Sequence, residues 1–162
     1  MIYTKTYDNV PKKREVQKYL LSYVNAKDSG GKIICLGGNT IDPYIDLLHE
    51  HKFKFIKVVE SDISVFVNQI KYRRANMSFV RGDINDYLDQ HDHFYDLDYM
   101  CSIAKIGPSL EKIFQIPQFM LTVALRPFTK EYTLNLLNSY SSNFIYRTYR
   151  DSGTAMLTIL KQ

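Results

Sequence analysis

The stretch of sequence that decides the fold is KIICLGGNTIDPYIDLLHEHKFKFIKVVESDIS, residues 32–64. It opens with an apolar segment, turns at Gly37-Gly38-Asn39, and continues as an amphipathic helical pattern and a second apolar segment that ends in acids. A strand, a helix and a second strand in this order predict a βαβ unit with parallel strands. In open α/β sheets, ligands bind beyond the carboxyl ends of such strands. We therefore expect a ligand cleft beside this turn.

The residues around the turn also indicate the kind of ligand. Gly37 and Gly38 have no Cβ atom and Asn39 tolerates a positive φ, so the backbone of the turn can approach a ligand closely. Glu60 or Asp62, at the end of the second strand, could accept hydrogen bonds from the hydroxyl groups of a ribose. The pattern therefore predicts a site for a cofactor that carries a nucleoside.

The remaining sequence alternates between strand patterns and helix patterns. The predicted strands span residues 32–36, 53–60, 77–81, 94–101, 119–125, 143–149 and 155–161. The predicted helices span residues 10–27, 42–51, 64–73, 85–90, 109–115 and 130–139. About seven strands, with helices between the first six, predict a mostly parallel α/β sheet with an antiparallel end and helices on both faces. We expect a single domain over residues 1–162, in which an N-terminal helical segment, residues 1–30, packs on the sheet.

The composition is that of an ordinary globular chain. Of the 162 residues, 45% are hydrophobic and 23% are charged, and the formal net charge is +4. No apolar run reaches the roughly 18 residues that a membrane span needs, and the polar N-terminus is unlike a secretory signal. Cys35 and Cys101 fall in apolar segments, where a free thiol behaves as a small apolar side chain. These features favour a cytoplasmic protein in reducing conditions.

Two clusters of basic residues bear on the choice of partner. They lie at residues 12–14 and 71–74, and each has tyrosines nearby, a combination that suits phosphate contact and base stacking. Solvated helix ends carry such clusters as well, and the net charge is small. The sequence therefore leaves nucleic acid, another protein and a second copy of the chain open as partners, and it predicts no membrane association.

Three motifs resemble those of the class I S-adenosylmethionine-dependent methyltransferases. They are ICLGGNT at the first strand, VVESDIS at the second and FVRGDINDYL at the third. In that family the first loop contacts the methionine part of the cofactor, an acid after the second strand binds the ribose, and an acid after the third lies near the adenine. The resemblance implies a Rossmann-like fold and S-adenosylmethionine as cofactor. The cofactor-binding positions that it implies are Gly37, Gly38, Asn39, Glu60 or Asp62, Asp83 and Ile84.

A second resemblance concerns the segment YDLDYMCSIAKIGPSLEKIF, residues 95–114. It is similar to the corresponding part of spermidine synthases and related aminopropyltransferases, which share the methyltransferase fold. The Cys35-Leu36-Gly37-Gly38 loop is similar too, because those enzymes have an apolar residue where methyltransferases have an acid. They place a catalytic aspartate after the fourth strand, whereas this chain has Cys101-Ser102 there. The resemblance thus implies aminopropyl transfer as an alternative function.

Several candidate residues have a structural explanation beside the functional one. Asp62 precedes a helix that it could cap, and Asp83 could stabilise a turn. Cys101 occupies the place of the nucleophile of cytosine-5 methyltransferases, but no evident neighbour lowers its pKa, so a buried structural thiol is favoured. His91 and His93 could face one side of a strand as metal ligands. They fall in a predicted loop, however, and no metal site is predicted.

The sequence as a whole favours an S-adenosylmethionine-binding, methyltransferase-like protein. Its acceptor would be a macromolecule, or a substrate enclosed together with a partner. No catalytic residue is assigned, since methyl transfer from a sulfonium mainly needs positioning and exclusion of water. Asn39 and Ile41 replace later glycines of the family's loop, and the branched Ile41 side chain restricts the approach of the backbone to a ligand. The main alternative is therefore a non-catalytic binding or structural module on the same fold.

Overall fold

A computed structural model of the chain describes residues 13–38, 41–141 and 143–162. The predicted site residue Asn39 and residues 1–12 of the predicted N-terminal segment lie outside the described residues. The described strands are β1 (Lys32–Leu36), β2 (Phe55–Glu60), β3 (Met77–Arg81), β4 (Phe94–Asp98), β5 (Phe119–Leu125), β6 (Ile145–Asp151) and β7 (Thr154–Lys161). The described α-helices are α1 (Lys13–Leu21), α2 (Ile41–Glu50), α3 (Ile63–Gln69), α4 (Ile103–Ile106), α5 (Ser109–Gln115) and α6 (Lys130–Tyr140).

The described strands form one seven-stranded sheet in the order β3-β2-β1-β4-β5-β7-β6. The strands from β3 to β5 in this order run parallel to one another. Strand β7 is antiparallel to both of its neighbours. The βαβ unit at residues 32–64 is confirmed, with Leu36 of β1 opposite Val59 of β2. The predicted α/β architecture, a mostly parallel sheet with an antiparallel end, is therefore confirmed.

Apolar side chains cover both faces of the sheet. Ile33 and Cys35 of β1 face one cluster together with α1 and α2, whereas Ile34 between them faces a second cluster with α4 and α5. This alternation follows from the pleat of a strand, in which successive side chains point to opposite faces. Every residue of β5 is buried, as is typical of a central strand covered on both sides. The covered sheet is a rigid support for the loops at its edges.

The fourth strand ends earlier than the sequence predicts. The strand predicted over residues 94–101 ends at Asp98, and Met100 has a φ of 50°. A positive φ is incompatible with an extended strand, so the chain leaves the sheet at this point. It then enters the short helix α4, which the sequence pattern does not predict. As a result, Asp98 and Tyr99 lie at the carboxyl edge of the sheet.

The helix predicted over residues 85–90 is instead a short 3₁₀ turn over Ile84–Tyr87. The other predicted helices differ from the structure mainly at their ends. Helix α1 ends at Leu21 and a separate 3₁₀ turn spans Ala26–Ser29, where one continuous helix is predicted. Likewise, α3 ends at Gln69 and a 3₁₀ turn continues over Ile70–Tyr72. Within the described ranges, every helix is too short or too polar to span a bilayer.

Candidate functional site

A cleft of about 310 Å³ lies beyond the carboxyl ends of β1, β2, β3 and β4; we call it the main cleft. Because these four strands are parallel neighbours, the loops that follow them meet at the same edge of the sheet. The loops bring together residues that are far apart in the sequence. The predicted cofactor-binding residues that line the main cleft are Gly37, Glu60, Asp83 and Ile84.

The two acids predicted to bind a ribose have different surroundings. Glu60 ends β2 and lines the main cleft, and its Oε1 accepts a hydrogen bond from the Asp62 N–H at 2.8 Å. The Asp62 carboxylate instead caps α3, accepting from the N–H groups of Ser64 and Val65 at 2.8 and 3.2 Å. The Ser64 hydroxyl and these N–H groups hold the pKa of Asp62 below its usual value. Glu60 is thus placed to contact a ligand, whereas Asp62 has a structural contact.

The segment after β3 forms another side of the main cleft. Asp83 precedes the 3₁₀ turn Ile84–Tyr87 and accepts a hydrogen bond from the Asn85 N–H at 2.9 Å. The Asp83 side chain is nevertheless exposed at the cleft, so it combines the turn contact with access to a ligand. Ile84 is 5% exposed and gives the cleft an apolar wall.

Three buried polar atoms of the main cleft have no hydrogen-bond partner among the described residues: Asn85 Oδ1, Asp98 Oδ1 and the Tyr99 hydroxyl. Burial raises the pKa of Tyr99, so its hydroxyl stays protonated and able to donate. A buried polar atom without a partner costs roughly 1–3 kcal/mol. A polar ligand would remove this cost by supplying the missing partners. The main cleft therefore fits a ligand that carries several hydrogen-bonding groups.

A smaller hollow of about 100 Å³ adjoins the main cleft; we call it the side hollow. The two cavities share Leu36, Gly37 and Asp98. Two cations of α1, Lys13 and Arg14, line the side hollow, and Lys13 forms an ion pair with the Asp98 carboxylate. Together the two cavities form one bipartite site, with acids in its larger part and cations in its smaller part.

Internal contacts already engage the walls of the side hollow. Arg14 donates a hydrogen bond to Gln17 at 2.6 Å and lies over the ring of Tyr44, 4.7 Å from its centroid. Ile41, the residue that the sequence indicates as an obstruction, is 1% exposed and packs into the core below the hollow. The hollow therefore stays open above Ile41.

Gly37 lies where the two cavities meet, and packing excludes a side chain there. A Cβ atom at Gly37 would lie 2.5 Å from Gln69 Nε2 and 2.7 Å from Val58 Cγ1. A Cβ atom at Gly38, which lines the side hollow, would meet no atom within 4 Å. Neither glycine has a positive φ, so the turn does not depend on the conformational freedom of glycine at these two positions. The turn requires Gly37 because of close packing instead.

A buried carboxylate that the sequence analysis did not single out lies below the side hollow. Asp96 of β4 is 1% exposed, and it accepts hydrogen bonds from the Tyr44 hydroxyl and, at 3.4 Å, from Gln17 Nε2. Burial and the nearby charge of Asp98 raise the pKa of Asp96 to about 6. Because Tyr44 and Gln17 also line the side hollow, the protonation of Asp96 is coupled to the floor of the site.

The other candidate residues lie outside both cavities. Cys101 lines neither of them, and burial raises the pKa of its thiol, which is therefore protonated at neutral pH. His91 and His93 lie in the loop before β4, where His93 Nδ1 is 2.9 Å from the Asp92 carboxylate. Among residues 13–38, 41–141 and 143–162, no group of three His, Cys, Asp or Glu residues could hold a metal ion.

Several solved structures share this architecture. Human methyltransferase-like protein 13, in complex with SAH, has a TM-score of 0.62 and 17% identity, over 92% of this chain and 81% of its own. The chain has the Rossmann-like methyltransferase fold. A candidate RNA methyltransferase from Pyrococcus horikoshii has a TM-score of 0.62 and 14% identity, over 90% of this chain and 83% of its own.

A third similar structure is an uncharacterized protein from Listeria monocytogenes serotype 4b, with a TM-score of 0.61 and 12% identity. The match covers 93% of this chain but 66% of the Listeria protein, slightly less than two thirds of its length. No protein-family model matches the sequence, and no curated protein sequence matches it. The similarity therefore rests on the three-dimensional fold.

Proposed function

We propose that this protein binds S-adenosylmethionine and transfers its methyl group to a macromolecule. The observation that carries the proposal is the bipartite site, in which the main cleft and the side hollow share Leu36, Gly37 and Asp98. S-adenosylmethionine is itself bipartite, since it joins a nucleoside to an amino acid. The human structure of the same fold was solved with SAH, which further supports this choice of cofactor.

The residues of the main cleft fit the nucleoside. Glu60 would accept hydrogen bonds from the ribose hydroxyls, and Asp83 would accept one from the adenine amine, with Ile84 against the ring. The unpartnered oxygen atoms of Asn85 and Tyr99 would bond to the remaining polar groups of the ligand. With Asp98, the main cleft has four side chains that carry carboxylate or amide oxygens, and Ile84 forms its apolar wall. Such oxygens accept hydrogen bonds, so the cleft suits a ligand with many hydrogen-bond donors.

The residues of the side hollow fit the amino-acid part. Lys13 and Arg14 would attract its carboxylate, and Asp98, at the junction of the cavities, would attract its ammonium group. The bound cofactor supplies an electrophilic methyl group. Gly38, Asp83 and Met100 are exposed at the rim of the two cavities, so an acceptor can reach the site from outside. This arrangement suits an acceptor group on a large molecule.

Isothermal titration calorimetry of the purified protein with S-adenosylmethionine and with S-adenosylhomocysteine tests the proposal. We expect binding of both ligands with a stoichiometry near one. The Asp98→Asn variant should bind both more weakly, by about tenfold, because it loses the charged partner of the ammonium group. Asp92→Asn, which changes an exposed acid in the loop before β4, is the matched control and should bind normally. The absence of binding heat for both ligands with the unmodified protein would overturn the proposal.

One observation favours a second candidate, a non-catalytic module. The ion pair between Lys13 and Asp98 already occupies the junction where the amino-acid part of a cofactor would bind. If this ion pair never opens, the amino-acid part of the cofactor cannot bind, and the protein has the fold without the enzymatic activity. Mass spectrometry of the protein after gentle purification separates the two cases, since a bound nucleoside favours the cofactor-binding function. Aminopropyl transfer has no comparable support, because the protonated Cys101 thiol cannot replace the carboxylate base of that reaction.

A further inference from the structure

A second large cleft lies at the same edge of the sheet as the main cleft. Its volume is about 610 Å³, and it lies beyond the end of β5, beside the turn that joins β6 to β7. The residues that matter in its lining are Arg126, Phe128, Lys130 and Arg150. We call it the basic cleft.

The polypeptide itself connects the basic cleft to the main cleft. The Tyr99 N–H donates to the Thr122 carbonyl at 3.3 Å, and the Ala124 N–H donates to the Cys101 carbonyl at 2.9 Å. The segment that leaves the main cleft after β4 therefore runs beside the last residues of β5. Arg126 follows two residues after Ala124. A chain bound in the basic cleft would thus pass close to the bipartite site.

The charges of the two clefts have opposite signs. The lining of the basic cleft includes three cations, Arg126, Lys130 and Arg150, and no acid. The lining of the main cleft includes three acids and no cation. Arg150 also donates a hydrogen bond to the Gly153 carbonyl at 3.2 Å, a contact that holds its guanidinium beside the β6–β7 turn. The basic cleft is therefore complementary to a polyanion.

Exposed aromatic rings add a second feature. The side chain of Phe128 is fully exposed, and that of Tyr132, at the start of α6, is 57% exposed. A fully exposed phenylalanine gains nothing from folding, because its apolar surface stays in water. Aromatic side chains beside a cationic groove are the usual means of stacking unpaired bases.

We propose that the basic cleft binds a single-stranded nucleic acid, whose phosphates contact Arg126, Lys130 and Arg150 and one of whose bases stacks on Phe128. The proposal rests on the proposed function, since it identifies the macromolecule that carries the methyl acceptor. Single strands are favoured over duplexes because only unpaired bases expose their faces to an aromatic side chain. An acidic protein surface would match the charges but would leave Phe128 without a stacking partner.

The basic clusters that the sequence indicates contain cations paired with acids. In the first cluster, Lys13 is paired with Asp98 inside the bipartite site. In the second, Arg74 donates to Asp46 at 2.6 Å and to Asp42 at 2.5 Å. These contacts neutralise part of each cluster. The basic cleft forms no single cluster in the sequence, because Arg126 and Lys130 lie between the end of β5 and the start of α6, whereas Arg150 belongs to β6.

Fluorescence anisotropy with a labelled single-stranded RNA of mixed sequence tests the proposal, with matched DNA and duplex RNA as competitors. The triple variant R126Q/K130Q/R150Q should bind at least tenfold more weakly. The slope of log affinity against log salt should become shallower by about 2, at roughly 0.7 for each lost phosphate contact on a single strand. Phe128→Ala alone should weaken binding about tenfold through lost stacking.

The matched control is K27Q/K52Q/K54Q, which removes three lysines from a cleft at the opposite, amino edge of the sheet. It changes the net charge equally and should leave RNA affinity within about twofold of the unmodified protein. The proposal is overturned if the control variant loses as much affinity as R126Q/K130Q/R150Q, if poly-glutamate competes as well as RNA, or if the unmodified protein does not bind RNA.

Titration of every variant with S-adenosylhomocysteine separates this inference from the proposed function. Unchanged cofactor binding together with lost RNA binding in R126Q/K130Q/R150Q supports both. If all variants bind the cofactor and R126Q/K130Q/R150Q still binds RNA fully, only the proposal that the basic cleft binds nucleic acid is refuted. RNA binding that depends on the basic cleft, in a protein that binds no cofactor, refutes only the methyltransferase function. Far-ultraviolet circular dichroism verifies that each variant is folded.

Discussion

The main cleft and the side hollow adjoin each other, but they differ in whether their polar groups have partners within the protein. In the main cleft, Asn85 Oδ1, Asp98 Oδ1 and the Tyr99 hydroxyl have no partner among the described residues. In the side hollow, Lys13 is paired with Asp98 and Arg14 is bonded to Gln17. The main cleft is thus ready for a polar ligand, whereas the side hollow must exchange internal pairs for ligand contacts. We expect the main cleft to supply most of the affinity.

The largest expected effect comes from Gly37, the residue at the junction of the two cavities. In Gly37→Ala, the new Cβ atom would lie 2.7 Å from Val58 Cγ1 and 2.5 Å from Gln69 Nε2. Gln69 is fully buried and Val58 is stiff at χ1, so the backbone of the turn must move. We expect a loss of roughly 3 kcal/mol in the free energy of unfolding, and loss of cofactor binding. Urea denaturation and calorimetry measure the two effects.

Gly38→Ala is the matched control for this change. A Cβ atom at Gly38 would meet nothing within 4 Å, and the φ of this residue is negative or extended, so alanine fits. The stability of Gly38→Ala should therefore stay within about 0.5 kcal/mol of the unmodified protein. Equal losses in both variants would contradict the close packing of Gly37.

The next largest effect is the pH dependence that Asp96 gives to the floor of the side hollow. Folding raises the pKa of the Asp96 carboxyl from 3.8 to about 6, because this carboxyl becomes buried and lies close to the charge of Asp98. The folded state therefore binds a proton more tightly than the unfolded state. The contribution of Asp96 to stability is greatest below about pH 4 and decreases as the pH rises towards about 6. The total change is roughly 3 kcal/mol.

Urea denaturation at pH 4.5 and pH 7.5, in the unmodified protein and in Asp96→Asn, measures this contribution. The asparagine keeps an oxygen that can accept the Tyr44 hydrogen bond, but it does not titrate. We expect Asp96→Asn to be more stable than the unmodified protein at pH 7.5. Between pH 7.5 and pH 4.5 the variant should gain less stability than the unmodified protein. A variant with the same pH dependence as the unmodified protein would show that Asp96 is already neutral, or that other groups dominate.

The fold could be predicted because each strand carries its own signal. The strands at residues 32–36, 77–81 and 119–125 have the predicted bounds, since each is a short apolar run that ends at a glycine, a proline or a charged residue. The end of β4 could not be predicted in this way. The apolar pattern continues past Asp98, and no local pattern in the sequence signals the positive φ of Met100.

The site could be predicted only where it follows directly from a strand. Glu60 is the last residue of β2 and Asp83 lies two residues after the end of β3, so topology alone brings them to one edge. The position of Asp98 at the edge of the sheet could not be predicted, because the predicted strand continues to residue 101. The contact between Tyr44 and Asp96 joins a helix to a strand 52 residues away, and no local pattern encodes it. The different surroundings of Glu60 and Asp62 could not be predicted either, because both acids lie at the end of the same strand.

A smaller effect should separate Glu60 from Asp62. Glu60→Gln removes a charged acceptor from the main cleft, and we expect about tenfold weaker binding of S-adenosylhomocysteine with little change in stability. Asp62→Ala removes the cap of α3, and we expect a loss of about 1 kcal/mol in the free energy of unfolding with unchanged affinity. Calorimetry and urea denaturation on both variants test this. The reverse pattern, with affinity lost in Asp62→Ala alone, would assign the ribose to Asp62.

The smallest expected effect concerns Tyr99, whose hydroxyl is buried in the main cleft without a partner. Tyr99→Phe removes a polar group that is costly to bury, so the protein without ligand should be equally stable or slightly more stable. Its affinity for S-adenosylhomocysteine should fall by a few fold, because the ligand loses one hydrogen bond. Tyr95→Phe is the control, because the Tyr95 hydroxyl has partners within the protein. It donates to the Tyr87 carbonyl and accepts from the Gln90 N–H, and Tyr95 does not line the main cleft. That variant should lose about 1 kcal/mol of stability and keep its affinity. If Tyr99→Phe also lost stability and kept its affinity, the hydroxyl would already be satisfied within the protein, and the contrast between the two cavities would disappear.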